Sequence, residues 1–129
     1  MAPGAGARLV LYVQACVYVV TGAWPVAHLA SFERITGEKH DDFLVHTVGL
    51  LLVVVGAVLL RALRRETLTR ELLWIAAGTA ASLLVIDVTY WWSGRLPPIY
   101  LVDAAAEAVF VAAALRLARM AVDRDTNKY

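Results

Sequence analysis

The chain has 129 residues, 60% of them hydrophobic, with a mean hydropathy of +0.66 and a formal net charge of +1. Soluble domains carry roughly 45–50% apolar residues, so this composition points to lipid as a solvent, and the absence of a basic cluster interleaved with aromatics excludes nucleic acid as a partner. The single cysteine, Cys16, excludes an internal disulfide and reads as a small packing residue.

Taken in chain order, four long stretches are nearly free of charge. Residues 9–32 and 43–60 hold no Asp, Glu, Lys or Arg, 72–94 hold only Asp87, and 96–115 hold only Asp103 and Glu107. A bilayer-spanning helix needs about 20 mostly apolar residues, which predicts spans over about 9–30, 43–61, 72–92 and 99–118. The first run continues past Val20 through Trp24 to Ala30, too long for the apolar part of a secretory leader, and reads as an uncleaved span. Residues 31–42 read as a polar loop, 61–71 as a basic one, and 93–98 as a tight turn. Gly94 suits the left-handed cap of a helix and Pro97-Pro98 suits the opening of the next. Short connections make consecutive helices antiparallel neighbours. The expectation is an all-α integral membrane four-helix bundle, a single domain with no room for another.

Basic residues orient the bundle. Arg8, Arg61, Arg64, Arg65, Arg70, Arg116, Arg119, Arg124 and Lys128 fall on one side, against Arg34, Lys39 and Arg95 on the other. Positive charge accumulates on the cytoplasmic face, so both termini are expected inside, in a bacterial inner (plasma) membrane. Trp24, Trp91, Trp92 and Tyr100 then fall at the outer interface, where amphipathic rings reside. Arg61, Arg64 and Arg65 read as a topology signal and a contact to membrane lipid headgroups. Helices associate in lipid through close packing of small residues, for which Gly49 and Gly56 on the second span, and Gly78, Ala81 and Ser82 on the third, are the candidates.

Polar residues inside the spans carry whatever chemistry there is. Asp87 lies five residues before Trp92 and Asp103 four after Ile99, so the turn sets them at nearly one depth; Glu107 stacks one turn deeper on the face of Asp103. Each acid at the bilayer centre costs about 2.5–3.5 kcal/mol on insertion scales, so such residues face the interior and find partners. Arg95, on the turn between their helices, is the expected countercharge. The group reads either as a polar clamp between spans three and four or as a site, since one protonated and one ionised carboxyl is the state that acid–base chemistry uses.

On span one, Gln14, Tyr18, Thr21, Pro25 and His28 recur at helical spacing along one face. That stripe either lines a cavity or supplies interhelical hydrogen bonds. Tyr90, Trp91 and Tyr100 flank the same turn and complete the candidate pocket. His46 shares a face with Asp42, and His40 and Asp41 precede them. Their spacing fits no zinc motif, so no metal or other cofactor is expected, and His46 is assigned to proton exchange beside the acids.

Two stretches resemble a known group. They are Thr36-Gly-Glu-Lys-His-Asp-Asp-Phe-Leu-Val-His46-Thr-Val-Gly49 and Ile86-Asp-Val-Thr-Tyr-Trp-Trp-Ser-Gly-Arg95-Leu-Pro-Pro-Ile-Tyr-Leu-Val-Asp103-Ala-Ala-Ala-Glu107. The group is one of small bacterial proteins with four transmembrane helices, and the layout is more distantly similar to the DoxX-like and EXPERA membrane families. The resemblance implies a four-helix membrane fold. For EXPERA members, which include sterol isomerases, it implies buried acids and aromatics set against a lipophilic substrate. Four-span multidrug transporters are less similar, because the Glu of their first span has no counterpart here beyond Gln14.

The sequence therefore predicts an outward-opening intramembrane cavity for a small lipophilic or amphipathic molecule. Asp87, Asp103 and Glu107 would be its acid–base groups, with Arg95 and His46 in support, in an isomerase or an epoxide-type hydrolase or cyclase. The alternatives are a proton- or cation-coupled transporter or channel acting as a homo-oligomer, and a noncatalytic accessory subunit. Below Glu107 the fourth span reads Phe110-Val-Ala-Ala-Ala-Leu115, with no ionisable group to continue a pathway.

Overall fold

The computed structural model describes residues 4–38 and 40–128, and every regular element in them is an α-helix: α1 (Ala5–Ala27), α2 (Leu29–Thr36), α3 (Asp42–Arg65), α4 (Arg70–Trp92) and α5 (Ile99–Thr126). Lys39, counted above among the basic residues, lies outside the described residues. Helices α1, α3 and α4 are long and apolar enough to cross a membrane. Helix α5 is longer still at 28 residues, but Asp103, Glu107 and Arg116 interrupt its apolar sequence. Leu50, Leu51, Val54, Val58, Ile75 and Val85 all face outward on α3 and α4, an arrangement that suits lipid and not water. These features define the class: an all-α protein with three helices fit for a membrane.

Helix α1 ends where its chemistry fails. Pro25 lacks an N–H, and at His28 the backbone turns extended (φ −153°). The chain then folds back as α2, where a polar loop was expected. The correction has a local cause. His28 Nδ1 accepts the Ser31 backbone N–H at 3.1 Å and so caps α2, while Trp24 Nε1 donates to Ser31 Oγ at 2.8 Å. Trp24 and Phe32 meet edge to face, centroids 5.7 Å apart, which pins α2 across the end of α1. Asp41 accepts the Leu44 N–H and starts α3; Thr69 accepts the Leu72 N–H and starts α4. Between α4 and α5 the predicted turn forms, with Gly94 left-handed (φ 77°) and Pro98 at the head of α5. Helix α5 runs eight residues beyond the predicted end at 118, because Arg119-Met-Ala121 continues in good helix formers.

The four long helices form two antiparallel hairpins. In the first, Gly22 of α1 lies against Gly49 of α3, and Ala15 lies against Gly56, one antiparallel register repeated seven residues on. A methyl group on Gly22 or Gly49 would collide with the other's carbonyl, so backbones this close require glycine. In the second, an alanine seam does the same work more loosely: Ala76, Ala77 and Ala80 on α4 and Ala104, Ala113, Ala114 and Ala118 on α5 are all buried. The expected seam of Gly78, Ala81 and Ser82 is a correction, since Gly78 has nothing within reach of an added methyl group. Gly78 and Ser82 are exposed and Ala81 is only half-buried, and Ala76, Ala77 and Ala80 pack instead.

Helix α1 joins the hairpins by packing along α5, whereas the consecutive helices α3 and α4 touch little. Two core layers result. Toward the arginine-rich end, Leu11, Leu59, Leu63, Leu73 and Ala114 close the centre of the bundle; toward the α2 end, Tyr18, Ala80 and Phe110 form a second cluster.

Candidate functional site

Above that second cluster a cavity of about 310 Å³ opens toward α2. Val17, Tyr18, Thr21 and Trp24 of α1 form one wall, and Ile99, Tyr100, Asp103 and Glu107 of α5 form another. Leu52 of α3 and Leu83 of α4 close the sides, and Phe32, Ile35 and Thr36 of α2 roof it. The roof exists because Phe32, Ile35 and Thr36 share one side of α2 at three- and four-residue spacing. Sequence reasoning missed these three as site residues, although their apolar spacing beside Trp24 was the available signal.

The cavity floor is acidic. Tyr18 donates its hydroxyl to Glu107 Oε2 at 2.7 Å, and its ring packs edge to face on Phe110 at 6.1 Å. Glu107 is 1% exposed and Asp87 is 5% exposed. The Asp87 and Asp103 side chains lie within hydrogen-bonding reach of each other, and Asp103 is close enough to Glu107 to interact electrostatically. No salt bridge to a described residue neutralises any of the three. Asp87 Oδ2 has no donor among the described residues. A hydrogen bond between two carboxyls requires a proton on one of them. Asp87 is buried and outside the cavity lining, while Asp103 reaches the cavity wall.

Gln14, fully buried, donates to the Ala76 carbonyl at 3.0 Å and so ties α1 to α4 across the bundle; its Oε1 has no partner among the described residues. Thr21 faces the cavity, its hydroxyl donating back to the Val17 carbonyl at 2.6 Å.

Five expected participants stand elsewhere. Arg95 is not the countercharge of the aspartates: its guanidinium lies over the Tyr90 ring, 5.7 Å from the centroid, at the exposed turn. The turn carries it outward, where its charge keeps its water. His46 is not beside the acids either. Its Nε2 lies 3.1 Å from the Pro25 carbonyl, one of the last four of α1 that the helix cannot satisfy itself. A carbonyl only accepts, so Nε2 carries the proton. His28 is the cap of α2 and does not line the cavity. Tyr90 and Trp91 are outside the lining as well; Trp91 packs against Trp92 with centroids 6.3 Å apart.

Among the described residues no group of three or more His, Cys, Asp or Glu is arranged to hold a metal ion. The chain shows no match to a protein-family model, to a curated protein or to a solved structure.

Proposed function

We propose that the chain is a four-span protein of a bacterial inner membrane, with both termini cytoplasmic, whose cavity binds a small amphipathic molecule carrying a cationic or proton-accepting head. One observation carries the reading: the cavity wall is mostly aromatic and aliphatic, its acidic groups are the carboxyls of Asp103 and Glu107, and neither these nor the buried Asp87 has a salt bridge to a described residue. Acids at this depth are expensive without a partner, and a ligand's positive or basic group supplies one. Helix α5 crosses in this reading because it turns Glu107 inward and onto Tyr18.

If the protein is an enzyme, a carboxyl pair sharing one proton suits its delivery and return, as an isomerisation requires. Placing Arg95 at the turn weighs against the epoxide-type hydrolysis that an Asp–Arg–Asp arrangement would serve. The layer of Leu11, Leu59, Leu63, Leu73 and Ala114 closes the bundle below Gln14, which favours a pocket with a floor over a conduit for protons or cations.

The test uses purified protein in zwitterionic detergent, a phenylalkylamine probe and its neutral N-acetyl analogue. The amine is expected to bind and raise the unfolding midpoint, and the amide is not. Both Asp103→Asn and Glu107→Gln should weaken amine binding at least tenfold while remaining folded. Equal binding of amine and amide, or unchanged binding to both variants, overturns the reading.

A further inference from the structure

A second cavity, of about 320 Å³, lies at the opposite end of the α4–α5 hairpin. Arg70 and Trp74 approach it from the start of α4; Leu115, Arg119, Val122 and Asp123 approach it from the last turns of α5. We propose that this groove is a binding site for one phosphate-headed anionic lipid. The inference is independent of what the acidic cavity binds.

The chemistry is that of an amphipathic anion. Two guanidiniums against the single carboxylate of Asp123 leave the groove with a net positive charge. Neither Arg70 nor Arg119 is salt-bridged to a described residue. Guanidinium groups are flat forks of donors that match phosphate oxygens. The rest of the wall is apolar: Trp74 is 58% exposed, and Leu115 and Val122 complete the surface. A free phosphate gains nothing from that surface, whereas the upper acyl chain of a lipid does.

Position agrees with chemistry. Arg70 is the first residue of α4 and Trp74 stands one turn inside it, so the guanidinium marks where the apolar helix meets water and the indole sits just below, as interfacial tryptophans do. The 23 residues of α4 measure about 34 Å and the 28 of α5 about 42 Å, against a hydrocarbon core of about 30 Å. Helix α5 thus projects past the level of Arg70, and Arg119 and Asp123 flank the depth at which lipid phosphates lie.

Arg61, Arg64 and Arg65 gather beside α1 at the same end, so bulk lipid binding would sum both places. Trp74 separates them, because Trp24, Trp91 and Trp92 all belong to the other end. The measurement is quenching of the Trp74 component, wild type minus Trp74→Phe, by phosphatidylglycerol with brominated acyl chains, in phosphatidylcholine nanodiscs. Saturable quenching at a few mole per cent of lipid is expected, with brominated phosphatidylcholine much weaker. Each arginine near an anionic headgroup contributes about fivefold in affinity, so the double variant Arg70→Gln/Arg119→Gln should weaken it about 30-fold. Arg34→Gln/Arg95→Gln, which removes the same charge at the opposite end, should not. Three results overturn the proposal: equal quenching by both brominated lipids, equal weakening in the two double variants, or displacement of the lipid by millimolar inorganic phosphate. Should the first double variant fail to fold, the lipid comparison on wild type and the Trp74→Phe difference still decide.

Discussion

At the scale of single residues, the buried polar groups divide into those that hold helices together and those that face the cavity. Tyr18 belongs to both sets. Its hydroxyl donates to Glu107, a carboxylate almost wholly removed from solvent. Tyr18→Phe keeps the ring packed on Phe110 and leaves Glu107 without that donor. An expected loss of about 1–3 kcal/mol follows, because a buried charged acceptor stripped of its donor bears its full desolvation. A melting curve in detergent measures it; an unchanged midpoint would mean that solvent reaches Glu107 through the cavity. Asp87→Asn should behave in the opposite way. The amide can donate to Asp103, so the contact survives with no proton to share and no ionisable group at the buried position 87. Stability is expected to hold or rise by up to about 1 kcal/mol, and a clear fall would show the carboxyl pair to be a structural clamp.

At the scale of elements, the two hairpins are built to different tolerances. Gly22 and Gly49 bring backbone against backbone, and neither chain can yield to a side chain there. Gly49→Ala should therefore destabilise the α1–α3 pair by more than about 2 kcal/mol, within the range of overpacking in close-packed cores. Gly78→Ala meets open space and gains helix propensity worth about 1 kcal/mol, so it should raise the melting temperature. The pair shares chemistry and differs only in azimuth. If both variants lose stability alike, the α1–α3 register is wrong. Helix α2 is held by the Trp24–Ser31–His28 hydrogen bonds and the Trp24–Phe32 contact, so the roof of the cavity is fastened to α1.

At the scale of the whole molecule, the packing order α3–α1–α5–α4 differs from the order of the chain. Hairpins form between neighbours in sequence, but the assembly is closed by α1 on α5 while α3 and α4 remain a shallow seam. The proposed topology is testable on single cysteines in a Cys16→Ser background. A membrane-impermeant maleimide added to intact cells should label Glu38→Cys and miss Glu66→Cys, since Glu38 lies at the α2 end and Glu66 at the arginine-rich end, both exposed. The reverse pattern would invert the orientation and place the acidic cavity on the cytoplasmic side.

Much of this was legible without coordinates, and for a local reason. Hydropathy, helix length and the chemistry of a turn are properties of short stretches, so α1, α3 and α4 emerged within four residues of their observed bounds and α5 at its observed start, and the Ser93–Pro98 turn formed where Gly94 and the prolines required it. Matched offsets from that turn were enough to bring Asp87 beside Asp103, and the stripe on α1 was enough to turn Gln14 and Tyr18 inward. What the sequence could not settle was azimuth and non-local closure. Depth along an axis counts residues, but the direction in which Arg95, His46 or Gly78 points depends on which other helix arrives. Arg95 keeps its water over Tyr90, His46 meets the Pro25 carbonyl at the end of α1, where the helix breaks at His28, and α4 turns its alanines rather than its glycine to α5. The roof of the cavity was hidden for the same reason. An eight-residue helix with polar neighbours is marginal alone, and α2 holds its shape because Trp24, on the preceding helix, gives Ser31 and Phe32 something to fold against.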